Sequence, residues 1–433
     1  MRTFIKGALA ATVVAAALLT AGCSSDPGGG DSGGKVNLTF WSWSTNIDKT
    51  VAIWNKSHPN IQVRQIKIAQ GDPSVTKLLA AAKAGSGLPD VTLAEYQTVP
   101  SLVSNNVLAD ISKYVPADLK NEYSEGDWSG ATLGTDAVYG VPQDTGPMEF
   151  YYRKDIFDSL GLTAPKTWDE YAEVAKKIHD ANPAQFLGTF SSADAGQFKG
   201  LAQQAGSSWW SVKGDSWSVN IDDAATKKVA AFWGGLVESG VIDNTPQYTP
   251  EWNNALNTGG QVGWVGAAWS PGVLLGNAPD TSGKWAMAPL PQWDAASPAT
   301  GTWGGSLNGV TTGSKHPKEA AEFVTWLDSS TEGVTSLVKD GGLYAAATKV
   351  AAPALSAAPA FFPDDPDFWK KIGDINATTK PFTYGPNVNV AYSAFNDAFG
   401  KAVETKTAAA FTLALESMQK TTADDLKSTG FTK

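Results

Sequence analysis

The stretch VNLTFWSWSTNIDKTVAIWNKSHPNIQVRQIKIAQGDPSVTKLLAAAKAGSGLPDVTLAEY, residues 36–96, decides the fold of this chain. Val36-Asn37-Leu38-Thr39-Phe40 alternates apolar and polar residues, which predicts a strand. Ile47, Val51 and Trp54 then recur on one face of a helix, and His58-Pro59-Asn60 breaks it. Residues 61–68 (IQVRQIKI) predict a second strand. Asp72-Pro73 reads as an N-cap followed by proline in the first turn. Val75, Leu78, Leu79 and Ala82 form the apolar stripe of the next helix, which Gly85 ends. Leu88-Pro89-Asp90-Val91-Thr92-Leu93-Ala94 gives a third strand. Strand, helix, strand, helix, strand at this spacing predicts βαβ units and a largely parallel sheet. Ligands bind such sheets beyond the carboxyl ends of the strands. Ser42, Trp43, Glu95 and Tyr96 all fall at such ends.

Further along, a second α/β region begins near Tyr151. Thr167-Trp168-Asp169-Glu170 forms a capping box, in which a hydroxyl and a carboxylate satisfy helix-end donors. Trp168, Tyr171, Ala175 and Ile178 line one face of the helix that follows. Residues 224–236, 318–327 and 391–418 also read as helical, and the proline-rich residues 353–366 read as irregular. There is no internal repeat.

Towards the amino end, Arg2 and Lys6 precede an uncharged apolar run at residues 8–19, short for a bilayer span. Leu19-Thr20-Ala21-Gly22-Cys23 follows, with small residues that let a peptidase reach the backbone. This resembles the bacterial lipobox. The resemblance implies a signal peptide at 1–22, cleavage after Gly22 and a lipid on Cys23. Residues 24–34 (SSDPGGGDSGG) have the composition of a flexible tether, so 23–35 is expected to be a lipidated leash. Cys23 is the one cysteine of the chain, so no internal disulfide forms.

The chain has 433 residues, which predicts two or three domains at about 150 residues each. Its net charge of −10 argues against nucleic acid or a phosphate-rich partner. The 17 tryptophans are the unusual feature of the composition. Trp168 and Trp326 stand where core burial is expected. Trp41, Trp43, Trp209, Trp210, Trp217, Trp264, Trp269 and Trp303 stand beside glycine, serine or proline. They suit a cleft that presents flat apolar faces with a polar edge.

Several segments together resemble the extracellular solute-binding proteins of ABC sugar importers, the group that includes maltose-type binding proteins. They are Leu38-Thr39-Phe40-Trp41, His58-Pro59-Asn60-Ile61-Gln62-Val63 and Gly87-Leu88-Pro89-Asp90-Val91. Tyr139-Gly140-Val141-Pro142, Tyr151-Tyr152-Arg153-Lys154-Asp155 and Pro165-Lys166-Thr167-Trp168-Asp169-Glu170 form the most specific run. Trp303-Gly304-Gly305 and Pro317-Lys318-Glu319-Ala320-Ala321-Glu322-Phe323 follow in order. The resemblance implies an α/β, two-lobed periplasmic-binding-protein-like fold with the ligand cleft between the lobes and hinge closure. Crossings between lobes are expected near residues 144–146, 303–305 and 344–350. That divides the body into an N-terminal lobe of 36–144 plus 304–348 and a C-terminal lobe of 145–303 plus 349–433. The implied partners are a neutral di- or oligosaccharide, the permease subunits of the importer and the outer face of the cell membrane. A monomer without cofactor or metal is expected.

A sugar ring has C–H faces and a rim of hydroxyls, so a site needs aromatic planes and polar acceptors on opposing walls. Trp43, Tyr96, Trp264, Trp269, Trp303 and Tyr344 are the aromatic candidates; Glu95 and Asp144 are the carboxylates, which accept hydroxyl hydrogen bonds strongly. Trp269 and Trp303 sit in turns bounded by glycine or proline, where burial in a core is not required. Trp264 lies inside a predicted strand, so core packing explains it nearly as well. Trp209 and Trp210 fit either a sugar subsite or a closed loop. An enzyme finds little support: His58 and His316 each precede a proline, His179 ends a helix where a cation favours the dipole, and neither a G-x-S-x-G elbow nor a Walker loop occurs. Asp364, Asp365 and Asp367 lack the glycine spacing of an EF-hand loop. A glycoside hydrolase, which needs only two carboxylates, and a receptor for another solute on the same fold are the alternatives.

Overall fold

The computed structural model describes residues 35–213 and 216–430. The expected leader and most of the expected tether, with Cys23, the expected lipid acceptor, lie outside the described residues. Among the described residues ten strands are formed: β1 (Val36–Ser42), β2 (Ile61–Lys67), β3 (Val91–Glu95), β4 (Val141–Asp144), β5 (Met148–Arg153), β6 (Trp210–Lys213), β7 (Ser216–Val219), β8 (Gly263–Ala267), β9 (Trp285–Pro289) and β10 (Ser306–Val310). They make a five-stranded sheet in the order β2-β1-β3-β10-β4, a three-stranded sheet β8-β5-β9 and the hairpin β6-β7.

The expected strands and helices of residues 36–96 are present, but the sheet is less parallel than the pattern implies. β1 pairs in parallel with β2 and β3. β10 inserts antiparallel between β3 and β4, and the three-stranded sheet is antiparallel throughout. The physical reason is connectivity. β10 enters from the other sheet rather than through a helical crossover, and only a crossover forces parallel pairing.

Helix Ile47–Ser57 buries Ile47, Val51 and Trp54. Trp54 packs at 5.4 Å on Phe323 from helix Pro317–Ser329 and donates its indole N–H to the Ile61 carbonyl at 2.9 Å. One core therefore joins residues distant in sequence. Helix Asp72–Ala84 starts one residue earlier than expected: Gly71, at φ 69°, occupies the N-cap, and Asp72 is already helical. Thr167 caps helix Trp168–Ala181 as expected, accepting from the Glu170 N–H at 3.2 Å. The Glu170 carboxylate, however, accepts from the N–H of Lys166, one residue before the cap. The helical stretch at 391–418 is two helices, Val388–Thr405 and Ala408–Ser428. They break at Lys406 in the left-handed region, φ 55°, and Thr407 caps the second.

Trp209 and Trp210 belong to the second core. Both are fully buried, donating their indole N–H groups to Thr226 Oγ1 at 3.2 Å and Asn387 Oδ1 at 3.1 Å.

Three chain segments run side by side between the two main sheets. Residues 145–147 link β4 to β5, residues 290–305 link β9 to β10, and a third segment surrounds Tyr344. The Trp303 N–H donates to the Gly146 carbonyl at 2.7 Å. Thr145 N–H donates to the Tyr344 carbonyl at 3.3 Å, and Ala346 N–H to the Gln143 carbonyl at 3.0 Å. Among the described residues no helix is long and apolar enough to cross a membrane.

Candidate functional site

The segments just described floor a cavity of about 400 Å³. One wall comes from the carboxyl ends of β1, β3 and β4 and the loop after β2. It carries Trp43, Gln70, Glu95, Gln97 and Asp144. The opposing wall comes from elements around β8-β5-β9 and from helix Val388–Thr405, with Asp194, Tyr248, Trp269, Tyr392 and Asn396. Trp303, Gly304 and Gly305 form the floor.

The floor depends on its glycines. Gly304 and Gly305 have φ 69° and 89°, a region that side chains other than glycine rarely adopt. This lets the chain reverse directly after Trp303 and enter β10. Gly146 is required for closeness: a Cβ there would meet the Trp303 carbonyl at 2.2 Å.

Trp269 stands at the N-cap of helix Ser270–Asn277 and donates its indole N–H to the Trp303 carbonyl at 2.7 Å. The two rings meet edge to face at 4.9 Å and 75°. Trp303 in turn donates to Asp194 Oδ1 at 3.1 Å, while that same oxygen caps helix Ala195–Gln204 through the Gln197 N–H. A helix end, an acid and two indoles are thus fixed as one unit. Trp303 is only 4% exposed, so it is both floor and core. This corrects the sequence-based view that its turn makes burial unnecessary.

Asp144 is buried and accepts from the Ser306 hydroxyl. Burial pushes its carboxyl up to about 7, although the Ser306 bonds oppose this, and the nearby Asp127 charge adds to the rise. Behind it, Gln143 donates to Ser44 Oγ at 3.2 Å and to Ser306 Oγ at 3.3 Å, and accepts from Asn308 at 3.0 Å. Asn308 also donates to both oxygens of Asp328, whose carboxyl burial raises well above its ordinary value. A chain of amides and hydroxyls therefore sets the position of Asp144. Beneath the floor, Lys199 is buried and donates to the Thr302 carbonyl at 2.6 Å, Thr302 Oγ1 at 3.1 Å and Gln203 Oε1 at 3.2 Å. Burial lowers its ammonium to about 7, against the pull of Glu95.

Of the residues singled out from sequence, Trp43, Glu95, Asp144, Trp269 and Trp303 line this one cavity. Tyr96, Trp264 and Tyr344 do not line it. Tyr96 packs behind the floor, where Gly130 and Gly305 leave room for its ring. Trp264 lies on β8 with 1% exposure and donates to Gln247 Oε1 at 3.1 Å. Although β8 is an edge strand of its sheet, all five of its residues are buried, so the strand position outweighs the glycines beside it. Tyr344 stacks on Trp369 at 6.1 Å and 22°, turned away from the cavity while its neighbours Gly341 and Leu343 line it. Sequence reading missed Gln70, Gln97, Asp194, Tyr248, Tyr392 and Asn396. The one local signal was Asp194 at a helix start; the others lie in loops or helices whose facing only packing sets.

No lysine, arginine or histidine lines the cavity among the described residues. Nor is any group of three or more His, Cys, Asp or Glu placed there to hold a metal. Apolar ring faces with a rim of carboxylates and amides can hold an uncharged polyhydroxylated ring: the faces take C–H surfaces and the rim takes hydroxyls.

Residues 42–333 match the family model described as bacterial extracellular solute-binding protein. The arabinooligosaccharide-binding protein of Bacillus subtilis is 24% identical over 330 residues, covering 73% of this chain and 74% of that one. Among solved structures, the galacto-N-biose/lacto-N-biose I-binding protein of a Bifidobacterium longum ABC transporter, in complex with lacto-N-biose, is 30% identical. It superimposes with a TM-score of 0.79 over 93% of this chain and 100% of that one. The ABC transporter-associated binding protein of Bifidobacterium animalis subsp. lactis, in complex with β-1,6-galactobiose, is 26% identical, with a TM-score of 0.83 over 92% and 99%.

Proposed function

The chain belongs to the bacterial extracellular solute-binding proteins, and from that premise we propose that it captures a neutral di- or oligosaccharide and delivers it to the permease of an ABC importer. The observation that carries the reading is the cavity: indoles on the walls and floor, carboxylates at the rim and no cationic side chain among its described lining residues. A phosphorylated or acidic solute needs a positive partner, whereas a sugar needs faces and acceptors. Gln97 adds to this, because its side-chain amide places donor and acceptor groups in the lining beside the carboxylates. The sugars named for the relatives support the same class.

The ligand lies between an N-terminal lobe of 36–144 plus 304–348 and a C-terminal lobe of 145–303 plus 349–433, and the three adjoining crossings act as the hinge. A lipid on Cys23 holds the monomeric body at the outer face of the membrane. The body binds without catalysis, since relatives matched over most of its length are named as binding proteins. Thermal-shift screening against a panel of neutral disaccharides and trisaccharides tests the reading. At 100 times its Kd, a ligand that binds only the folded state adds about 2.7 kcal/mol of stability and raises the midpoint. A panel without any shift, or product formed beyond one equivalent of protein, refutes it.

A further inference from the structure

Helix Ala195–Gln204 grips the floor of the cavity at two places. At its first turn the Trp303 ring lies against Gly196, where a Cβ would come within 3.0 Å of the indole Cδ1, and the Asp194 cap accepts the indole N–H. Further along, the helix meets the residues before Trp303 backbone to backbone. A Cβ on Gly301 would meet the Gly200 carbonyl at 1.9 Å, and one on Gly200 would meet the Thr302 carbonyl at 2.8 Å. Lys199 makes the second grip. Its ammonium has three N–H donors, and three oxygens accept them: the Thr302 carbonyl, the Thr302 hydroxyl and the Gln203 amide oxygen. That amide oxygen also accepts from the Thr302 N–H at 2.9 Å and the Thr302 hydroxyl at 3.0 Å.

The Thr302 carbonyl and the Trp303 N–H belong to one peptide group. Lys199 holds its oxygen at 2.6 Å, and the Gly146 carbonyl holds its N–H at 2.7 Å. The next peptide group is held through the Trp303 carbonyl by the Trp269 indole. Both peptide planes flanking Trp303 are therefore fixed, and with them the direction in which its ring leaves the backbone. Packing alone does not call for a lysine here. The side chain is 1% exposed, and an ammonium held by neutral oxygens recovers little of its desolvation cost. Phe382 and Tyr384 present ring faces 4.9 and 5.0 Å from Nζ, which offsets a part. A methionine would fill the same space against the same rings with no charge to bury. It could not hold the Thr302 carbonyl.

Resting on the sugar-binding reading, we propose that Lys199 is a positioning residue for the sugar: it holds the peptide plane before Trp303, aims the floor indole, and serves ligand affinity rather than folding stability. The test is calorimetric titration of the full-length chain in detergent with lacto-N-biose, β-1,6-galactobiose and arabinobiose, at pH 6, where Lys199 carries its proton. Urea unfolding of the same proteins without sugar runs beside it. For the sugar bound best, Lys199→Met should bind about tenfold more weakly, the loss expected for one charge-assisted hydrogen bond, with an unfolding midpoint equal to or above that of wild type. Lys199→Arg keeps a cationic donor that stacks on aromatic faces and should return to within about threefold of wild type. If either variant fails to fold, Thr302→Val decides: it removes one of the three acceptors and should bind about threefold more weakly at an unchanged midpoint. A Lys199→Met protein that binds as wild type does, or that loses stability in step with affinity, overturns the positioning role while leaving sugar binding intact. So does a folded Lys199→Arg protein that binds no better than Lys199→Met, or a deciding Thr302→Val protein with wild-type affinity. A wild type that binds none of the three sugars removes both readings.

Discussion

Asp144→Asn should flatten the pH dependence of folding stability. The folded carboxyl titrates at about 7, against an ordinary value of 3.8. A carboxyl raised in the folded state makes that state bind its proton more tightly than the unfolded chain does. Its contribution is fully present below about pH 4 and is lost as pH rises through about 7. Each pH unit inside that window is worth at most about 1.4 kcal/mol. Between pH 5 and pH 8 the titration saturates near its upper end, so wild type should lose about 2–3 kcal/mol on this account. Asparagine keeps an oxygen for the Ser306 hydroxyl but carries no proton to lose. Asp127, raised by burial to about 6, and Asp328 slope the same way in both proteins; both interact with the Asp144 charge, so removing that charge also lowers their carboxyls and flattens the variant's profile further. Urea unfolding of wild type and Asp144→Asn at half-unit steps from pH 5 to pH 8 gives the difference directly. Profiles that stay parallel within about 0.5 kcal/mol would refute a buried, proton-holding Asp144; the ordinary error of such extrapolations is of similar size.

Trp43→Ala should weaken sugar binding by roughly 30-fold or more, about 2 kcal/mol, with little change in the unfolding midpoint, because Trp43 lines the cavity and is only part-buried. Trp303→Ala should differ: its burial and its bond to Asp194 predict a stability loss of about 3–5 kcal/mol as well as weaker binding. Titration with and without prior unfolding analysis separates the two, and a Trp303→Ala protein as stable as wild type would show that its packing is dispensable. Cys23→Ser should move the protein from the membrane pellet to the soluble fraction of fractionated cells; a variant that stays in the pellet is not held by a lipid on Cys23.

Much of the fold was legible because the relevant signals are local. The alternation at Val36-Asn37-Leu38-Thr39-Phe40, the stripe Ile47, Val51 and Trp54, and the Thr167 cap act within a few residues, and all three are present. The site was legible in part for the same reason. Trp43, Glu95 and Asp144 stand at or just beyond strand ends, which topology alone turns towards a cleft. Other features depended on chain segments far apart. Trp264 and Trp269 are five residues apart and alike in their neighbours, yet one is locked in the core by Gln247 while the other lines the cavity. Tyr344 faces Trp369, a partner that no local pattern names. β10 is antiparallel because of the sheet it comes from, and Tyr248 is brought to the cavity by the packing of the loop before helix Pro250–Thr258. The sequence by itself determined which segments form strands and helices and which strand ends offer aromatic and acidic groups. Only tertiary packing decided which side chains face the cavity, because facing is settled by contacts between segments tens to hundreds of residues apart.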